Sequence, residues 1–263
     1  MCRWIAYLGQ PTHMEDYLYD GERALCGQAL KSYEAKLGVH GDGGGLGWYD
    51  RKPFPGLYRN AGPAWGDPNL RELTAQLESH LFFAHVRAST GAPNIFVNCH
   101  PFRCDNWLFM HNGQIGDFER VKRVLAQKLD DESYQMRQGD TDSELIFALL
   151  CTNGLKRDPL RAIEATIDQI LTHMRKAKIS DPFRATFALA DGEHIWAVRW
   201  SSDAHAPSLY QRLHCDHLLL ASEPLDEEKS NWLEVPANAV VHAARQANGK
   251  ISISQSFLFE KVA

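Results

Sequence analysis

The chain has no long apolar run and no cluster of positive charge. None of its hydrophobic stretches approaches the roughly 18 residues that a membrane-spanning helix needs. Its 28 Lys and Arg residues are outnumbered by 33 Asp and Glu residues, and the basic residues form no run. These absences argue against a membrane protein and against a nucleic-acid-binding surface. The first residues also lack the pattern of a signal peptide, so we expect a soluble cytoplasmic protein.

Cysteine is scarce and scattered. Six cysteines stand at positions 2, 26, 99, 104, 151 and 215, and in a chain of 263 residues this is not a disulfide framework. Cys99, His100 and Cys104 are the one group that suggests a metal site, but no second pair supplies the four ligands that zinc usually takes. We therefore predict buried free thiols, no metal and no cofactor.

A phosphate-binding loop is also absent. The glycine-rich stretch at residues 40–49 lacks the GK[ST] ending of such a loop, and a predicted strand rather than a helix follows its glycines. These glycines are better suited to tight turns and to close approach of the backbone.

The sequence does contain strands interrupted by amphipathic helices. Apolar patterning predicts strands at 4–8, 46–49, 81–87 and 107–111, and helices at 15–19, 22–37 and 68–77. Three further helices are predicted, one capped by Asp117, one that opens with a capping box of Thr141 and Glu144, and one capped by Asp158-Pro159. Beyond residue 183 it predicts strands at 184–190, 194–200, 208–213, 217–221, 239–244 and 250–257. Strands, then helices, then strands without a linker predict a single α+β domain over residues 1–263.

The first residues, Met1-Cys2-Arg3-Trp4, offer a nucleophile. Removal of Met1 would leave Cys2 with a thiol and a free α-amine on one residue. The amine titrates near pH ~8 and the thiol near ~8.5 in small reference compounds, so the amine can serve as general base. The predicted strand that follows would place this nucleophile at the end of a rigid element. Taken alone, a cysteine at position 2 is more often an ordinary thiol.

Three further motifs lie where predicted strands end or helices begin. In His85-Val-Arg87-Ala-Ser-Thr90, Arg87 carries a fork of donors that suits a carboxylate. In His111-Asn112-Gly113, the Asn amide and the Gly N–H could point two donors at a developing oxyanion. In Thr141-Asp142-Ser143-Glu144, Asp142 could bind an ammonium group. Each motif also has a plain structural explanation: a strand-end arginine, an Asn-Gly turn and a capped helix start.

Together and in this order, the motifs resemble those of the class II glutamine amidotransferases, which are N-terminal nucleophile hydrolases. The resemblance also includes Asn98-Cys-His-Pro101 and Ala221-Ser-Glu-Pro-Leu225 and extends over most of the chain. It is nearest to the stand-alone glutaminase branch, because no synthase, sugar-isomerase or phosphoribosyltransferase segment follows. The resemblance implies a four-layer αββα sandwich with two antiparallel sheets between outer helices.

The resemblance implies the chemistry as well. Cys2 would attack the side-chain amide carbon of glutamine, with its own α-amine as base, while Asn112 and the Gly113 N–H form the oxyanion hole. A thioester would form, ammonia would leave, and water would regenerate the enzyme. No chemical step is assigned to His85 or His100, which we expect to be structural.

The head group of the substrate would be held at two points. The resemblance implies that Arg87, with Thr90 near it, holds the α-carboxylate and that Asp142 holds the α-ammonium. Two positions depart from better-known members, which often carry Trp and His where this chain has Ala88 and Gly91. These departures concern the contacts around the substrate rather than the nucleophile.

Several functions fit this reading. The first is glutamine hydrolysis with ammonia passed to an unknown acceptor, and the alternative is a stand-alone hydrolase of a γ-glutamyl amide metabolite. The pair Arg87 and Asp142 serves both, because a γ-glutamyl group has the same amino-acid head. An amidase for bile salts or penicillins, and a non-catalytic binding or assembly protein that keeps the fold, are further alternatives. The expected partners are the small-molecule amide and either a synthase or a second copy of the chain.

Overall fold

Two antiparallel sheets form the centre of the molecule. The computed structural model describes residues 2–21, 23–32, 34, 39–89, 91–214, 216–246 and 248–259. Within these ranges the strands, in chain order, are β1 (Arg3–His13), β2 (Gly44–Trp48), β3 (Gly56–Asn60), β4 (Glu78–Val86), β5 (Phe102–Cys104), β6 (Trp107–Gln114), β7 (Arg184–Ala190), β8 (His194–Ser201), β9 (Tyr210–Leu213), β10 (His217–Ala221), β11 (Leu233–Glu234), β12 (Ala239–Arg245) and β13 (Ile251–Phe257).

The strands divide between the sheets without regard to chain order. One sheet has the order β11-β9-β10-β1-β4-β2-β3, and the other has the order β13-β12-β8-β7-β6-β5. In the first sheet, β1 lies between β10 and β4, with Arg3 paired to Val86 and Leu8 paired to Leu81. The N-terminal strand is therefore one of the most enclosed strands of its sheet.

Helices cover the outer face of each sheet. The described α-helices are α1 (Glu15–Leu18), α2 (Leu25–Leu30), α3 (Pro68–Gln76), α4 (Phe118–Ala126), α5 (Asp131–Met136), α6 (Asp142–Thr152) and α7 (Pro159–Lys176). None of them combines the length and the apolar composition of a membrane span.

Three apolar clusters define the layers. Because side chains alternate along a strand, Trp4 and Leu8 of β1 pack between the sheets, while Ile5 and Tyr7 pack against α1 and α2. On the far side, the second sheet packs against α4, α6 and α7. The layers are thus helix, sheet, sheet and helix. The predicted α+β class and the four-layer αββα sandwich are confirmed, whereas the single domain over residues 1–263 stays a prediction.

The predicted helix over 22–37 is wrong in extent. Helix α2 ends at Leu30, and Lys31 is extended, with a ψ of 95°. The hydroxyl of Ser32 accepts a hydrogen bond from Arg3 and donates one to Glu223, so tertiary contacts fix this segment outside a helix. Residues 22, 33 and 35–38 lie outside the described part of the chain.

Two predicted helix starts form in different ways. Asp117 precedes α4, but it is left-handed at φ 44° and its side chain makes no cap hydrogen bond, so its predicted capping role is wrong. Thr141 does cap α6, accepting from the Glu144 N–H at 3.1 Å. The Glu144 carboxylate, however, accepts from the N–H groups of Gln138 and Gly139, which ties the helix to the preceding turn instead of closing a capping box.

The cap of α7 gives a stability prediction. The Asp158 carboxylate accepts from the Arg161 N–H at 3.1 Å, as the Asp-Pro pattern predicts. Replacing Asp158 by Ala should lower the free energy of unfolding by about 1 kcal/mol, because the cap hydrogen bond is lost. Urea unfolding measures this, and Asp168→Ala on the exposed face of the same helix serves as control, with an expected change within about 0.5 kcal/mol. Equal losses in both variants would contradict the cap.

Candidate active site

The predicted site residues line one cavity. It has a volume of about 560 Å³, and both sheets contribute to its wall. Of the predicted residues, Cys2 precedes β1, Arg87 follows β4, Asn112 and Gly113 lie in β6, and Asp142 begins α6. Arg3 pairs with Val86 across neighbouring strands, so residues 2 and 87 emerge side by side from one end of the ladder. Thr90 lies outside the described residues, and its predicted role stays a prediction.

The Cys2 thiol is partly buried and poorly solvated. Its Sγ lies 3.7 Å from the carbonyl oxygen of Ala88, to which it donates. Burial raises the pKa of the Cys2 thiol, while this hydrogen bond and the guanidinium groups of Arg87 and Arg3 act in the opposite direction. Because burial is the largest of these effects, the resting thiol is neutral and needs a base to become a nucleophile.

Asn112 and Gly113 do not form a turn. They lie within β6, where Asn112 pairs with Thr186 and Gly113 with Ala185, so the alternative of an Asn-Gly turn is wrong. The Asn112 side chain is 1% exposed, and neither its Nδ2 nor its Oδ1 has a hydrogen-bond partner among the described residues. A buried amide with free donors beside a cavity is prepared to bind a polar atom that enters it.

Glycine is required at position 113. Its φ is +149°, and a Cβ there would lie 2.0 Å from the carbonyl oxygen of Arg184. Any side chain would therefore push β6 away from β7 and displace Asn112. The Asn-Gly pair in this chain thus reflects close strand packing at the cavity wall.

Arg87 holds the wall of the cavity. Its guanidinium donates to the carbonyl oxygens of Asp42, Ala92 and Pro93 at 3.2 to 3.3 Å. It also donates to the side chains of Ser89 and Asn94. This loop-binding role is not visible in the sequence pattern, because it depends on carbonyl groups of irregular backbone.

The glycine-rich stretch at residues 40–49 supports the backbone around Arg87. The Arg87 N–H donates to the Gly43 carbonyl at 2.7 Å, and the Asp42 carboxylate accepts from the Ser89 N–H at 2.8 Å. A Cβ at Gly43 would lie 2.5 Å from the Cys99 sulfur, so only glycine allows this approach. The expected close backbone approach is confirmed.

Asp142 also lines the cavity. Its Oδ2 accepts from the Ile115 N–H at 2.9 Å, and its Oδ1 accepts from the Ser143 N–H at 2.8 Å. These bonds fix the carboxylate between the end of β6 and the first turn of α6. Lone pairs remain on both oxygens, so the carboxylate can still accept from a ligand.

Three buried histidines form the layer behind the cavity. The rings of His85 and His100 stack at 4.2 Å, His85 Nε2 lies 3.3 Å from the His111 carbonyl, and His111 Nδ1 lies 2.8 Å from Ser143 Oγ. Burial lowers the pKa of His85 to about 3 and also lowers those of His100 and His111. All three are neutral near pH 7. His100 and His111 also reach the cavity wall, which the sequence did not indicate.

Metal-binding geometry lies elsewhere. Among the described residues, His214, Asp216 and His217 form the group whose potential ligand atoms lie within 4.8 Å of one another. None of them lines the cavity. The Nδ1 atom of His217 lies 2.9 Å from the Asp216 carboxylate, so hydrogen bonding accounts for this arrangement. The predicted thiols are free at Cys26 and Cys99, which are buried, and at Cys104 and Cys151, which are half-buried; Cys215 lies outside the described residues.

Comparison with known proteins identifies the class that this fold and cavity define. The family described as class II glutamine amidotransferases matches residues 23–215. The chain therefore belongs to the class II glutamine amidotransferases. The predicted family, its N-terminal nucleophile hydrolase fold and the class of enzyme are confirmed.

Individual relatives agree with this membership. The chain is 31% identical to the probable glutamine amidotransferase DUG3 of Saccharomyces cerevisiae, over 94% of this chain and 82% of that protein. It is 28% identical to the gamma-glutamyl-hercynylcysteine sulfoxide hydrolase of Mycolicibacterium smegmatis, over 92% of this chain and 95% of that protein.

Solved structures agree as well. A glutamine aminotransferase class-II domain protein from Silicibacter pomeroyi has a TM-score of 0.76 at 33% identity, covering 98% of this chain and 100% of that one. A glutamine phosphoribosylpyrophosphate amidotransferase from B. subtilis has a TM-score of 0.65 at 15% identity, covering 99% of this chain and 50% of that one. The second likeness shows a shared fold alone.

The buried histidines predict a pH dependence of stability. In the unfolded chain His85 gains a proton as pH falls through about 6.5, whereas in the folded chain it does so only near pH 3. The stabilisation from His85 is therefore complete above about pH 6.5 and is lost as pH falls toward 3, at about 1.4 kcal/mol per pH unit. Urea unfolding between pH 6 and 5, above the range where carboxylates titrate, measures this slope.

His85→Phe is the variant that isolates one histidine. Phe keeps a ring against His100 but cannot titrate, so the slope should fall by about 1.4 kcal/mol per pH unit. The absolute stability at pH 7 will also change, because the hydrogen bond to the His111 carbonyl is lost. An unchanged slope in this variant would refute the neutral burial of His85.

Proposed function

We propose that this enzyme hydrolyses the side-chain amide of glutamine or of a γ-glutamyl compound through Cys2, after removal of Met1. The observation that carries the proposal is the cavity that Cys2 shares with the buried amide of Asn112, which has no hydrogen-bond partner among the described residues. A nucleophile and a polar donor without a partner, in one concave site, are what attack on a carbonyl group requires.

The first half of the reaction forms a thioester. The α-amine of Cys2 takes the thiol proton, and the sulfur attacks the amide carbon. The negative charge that develops on the carbonyl oxygen is stabilised by Asn112 Nδ2 and the Gly113 N–H. As the tetrahedral intermediate collapses, the C–N bond breaks and the α-ammonium returns its proton to the leaving amine.

The second half releases the acid. A water molecule gives its proton to the α-amine and attacks the thioester carbonyl, and the C–S bond breaks. The oxyanion meets the same two donors. Glutamate leaves, and the thiol regains its proton from the α-ammonium, so the enzyme returns to its starting state without a cofactor.

The amino-acid head group is bound at two charged points. Arg87 pairs with the α-carboxylate, and Asp142 pairs with the α-ammonium. The pair suits a zwitterion because each charge of the substrate meets its opposite in one cavity. A simple acyl amide has no such head, which makes an amidase for bile salts or penicillins a poorer candidate.

The leaving group separates two versions of the proposal. Release of ammonia would make the chain a glutaminase that supplies a synthase or another acceptor. Release of a larger amine would make it a stand-alone hydrolase. The name of the M. smegmatis relative, a γ-glutamyl compound hydrolase matched over 95% of its length, favours the second version. A non-catalytic role is less well supported, because Cys2, Asn112 and Gly113 share one cavity. Partnership with a synthase or with a second copy stays a prediction.

Replacement of the nucleophile tests the reaction. Cys2→Ala should abolish glutamate release from glutamine and from a panel of γ-glutamyl amides, because no other group forms the thioester. Intact mass must first show that Met1 has been removed from the wild type. Cys104→Ser, which changes a half-buried thiol outside the cavity lining, is the matched control and should keep full turnover. Activity in Cys2→Ala equal to the wild type would rule out the assignment.

Two variants that each remove a charge, and two substrate analogues that lack either the α-carboxylate or the α-amino group, test the head-group contacts. Arg87→Gln should raise KM by on the order of 10- to 100-fold for a γ-glutamyl amide, because a charged hydrogen bond is lost. It should have little effect on KM for the analogue without the α-carboxylate. Asp142→Asn should likewise raise KM for the γ-glutamyl amide and have little effect on KM for the analogue that lacks the α-amino group. If Arg87 only supported its loop, both substrates would suffer equally.

A further inference from the structure

Arg3, the residue after Cys2, forms a buried ion pair with Glu223 that takes no part in the reaction steps described above. The Nε of Arg3 lies 2.9 Å from Oε2 of Glu223, and each side chain is 1% exposed. Glu223 belongs to the Ala221–Leu225 motif, 220 positions along the chain from Arg3. Neither residue lines the cavity, so neither contacts a substrate held there.

Glu223 is fixed from several sides. Its Oε2 accepts from the Ser32 hydroxyl at 2.7 Å and from the Glu34 N–H at 3.3 Å. The amide of Gln28 donates to the carbonyl oxygens of Glu223 and Pro224, at 3.3 and 3.0 Å. A buried ion pair is weak as a source of stability, because removing two charges from water offsets much of their attraction. The several contacts of Glu223 therefore indicate that the fold maintains the position of its carboxylate.

The other end of the pair reaches Cys2. Nη1 of Arg3 donates to the carbonyl oxygen of Cys2 at 3.0 Å. The next residue is tied down as well, since the Trp4 N–H donates to Ser222 Oγ at 2.9 Å and the Ser222 N–H donates to the Trp4 carbonyl at 3.0 Å. The motif at 221–225 therefore holds residues 2 to 4 through both backbone and side chain.

We propose that Arg3, oriented by Glu223 and Ser32, is a positioning residue that fixes the peptide plane of Cys2 and so aims its thiol and amine. The inference rests on the proposed function of Cys2. Once Met1 is gone, no peptide bond precedes Cys2, and its carbonyl group is a backbone acceptor through which the protein holds it. With that oxygen held by Arg3, and Sγ held by the Ala88 carbonyl, the reacting groups keep one orientation.

The test compares Arg3→Met, Glu223→Gln and the double variant with the wild type. Each single variant should lower kcat by on the order of 100-fold, because small displacements of reacting groups have effects of that size. KM should change little, since no substrate contact is lost. The double variant should be no slower than the slower single variant, because both changes disable one device. Arg3→Lys should recover part of kcat, since Lys keeps the charge but not the two-sided fork.

The double variant also shows whether a loss of kcat is caused merely by unfolding. It removes both charges of the Arg3–Glu223 pair together, and Gln keeps an acceptor for Ser32 and the Glu34 N–H, so it should unfold at nearly the wild-type temperature. Arg199→Met is the control. Arg199 also pairs with a glutamate, Glu234, and donates to backbone carbonyls, but it lies outside the cavity lining. It should lose stability while kcat per folded molecule stays unchanged. A double variant that is folded and has wild-type kcat would overturn the proposal.

Alkylation of Cys2 by iodoacetamide separates this inference from the proposed function, because it needs no substrate. The rate at Cys2 is followed by mass of the N-terminal peptide over a range of pH. The charges of Arg3 and Arg87 act on this thiol, and Cys99 lies near it. In Arg3→Met the alkylation midpoint should move to higher pH, because one of these cations is removed. An unmoved midpoint together with unchanged kcat refutes the role of Arg3. A wild type that alkylates normally but turns over no amide refutes the proposed function instead.

Discussion

A nucleophile that begins the processed chain is joined to the rest of the protein by one peptide bond only. Under the proposed mechanism no peptide precedes Cys2, so its position depends on the strand that follows and on contacts through space. β1 meets this need because it lies between β10 and β4, and ladder hydrogen bonds reach it from both sides. Its pairing of Arg3 with Val86 also brings Arg87 to the same end of the sheet. The register of three strands therefore sets the geometry of the site.

The cavity is built from polar groups that a folded core usually avoids. The amide of Asn112 and both ring nitrogens of His100 are buried without a partner among the described residues. Each such group costs about 1–3 kcal/mol of stability. Large apolar clusters on both faces of the sheets offset this cost. The rest of the fold thus supplies the stability that keeps these unsatisfied polar groups buried, as expected where strain or desolvation serves binding.

Local sequence pattern predicted the elements whose causes are local. Helix α7 follows from its Asp158 cap and apolar spacing, and strand β4 from its unbroken apolar run. The end of α2 and the strand geometry of Asn112-Gly113 were not predictable in this way. Ser32 leaves the helix to bind Arg3, and Gly113 is demanded by the Arg184 carbonyl on a neighbouring strand. Both causes lie far away in the chain, where periodicity carries no information.

The candidate site was predictable to a different degree. The order of the motifs pointed to the residues that meet in the cavity, because the family resemblance joins distant segments. It did not show the second role of Arg87, whose acceptors among the described residues are backbone carbonyls and uncharged side chains. Arg87 is 4% exposed, and a buried cation with neutral acceptors gains most when an anion arrives. A substrate without an α-carboxylate would leave that cation uncompensated. Under the proposed function, discrimination in favour of amino-acid head groups would therefore follow from the way the cavity wall is built.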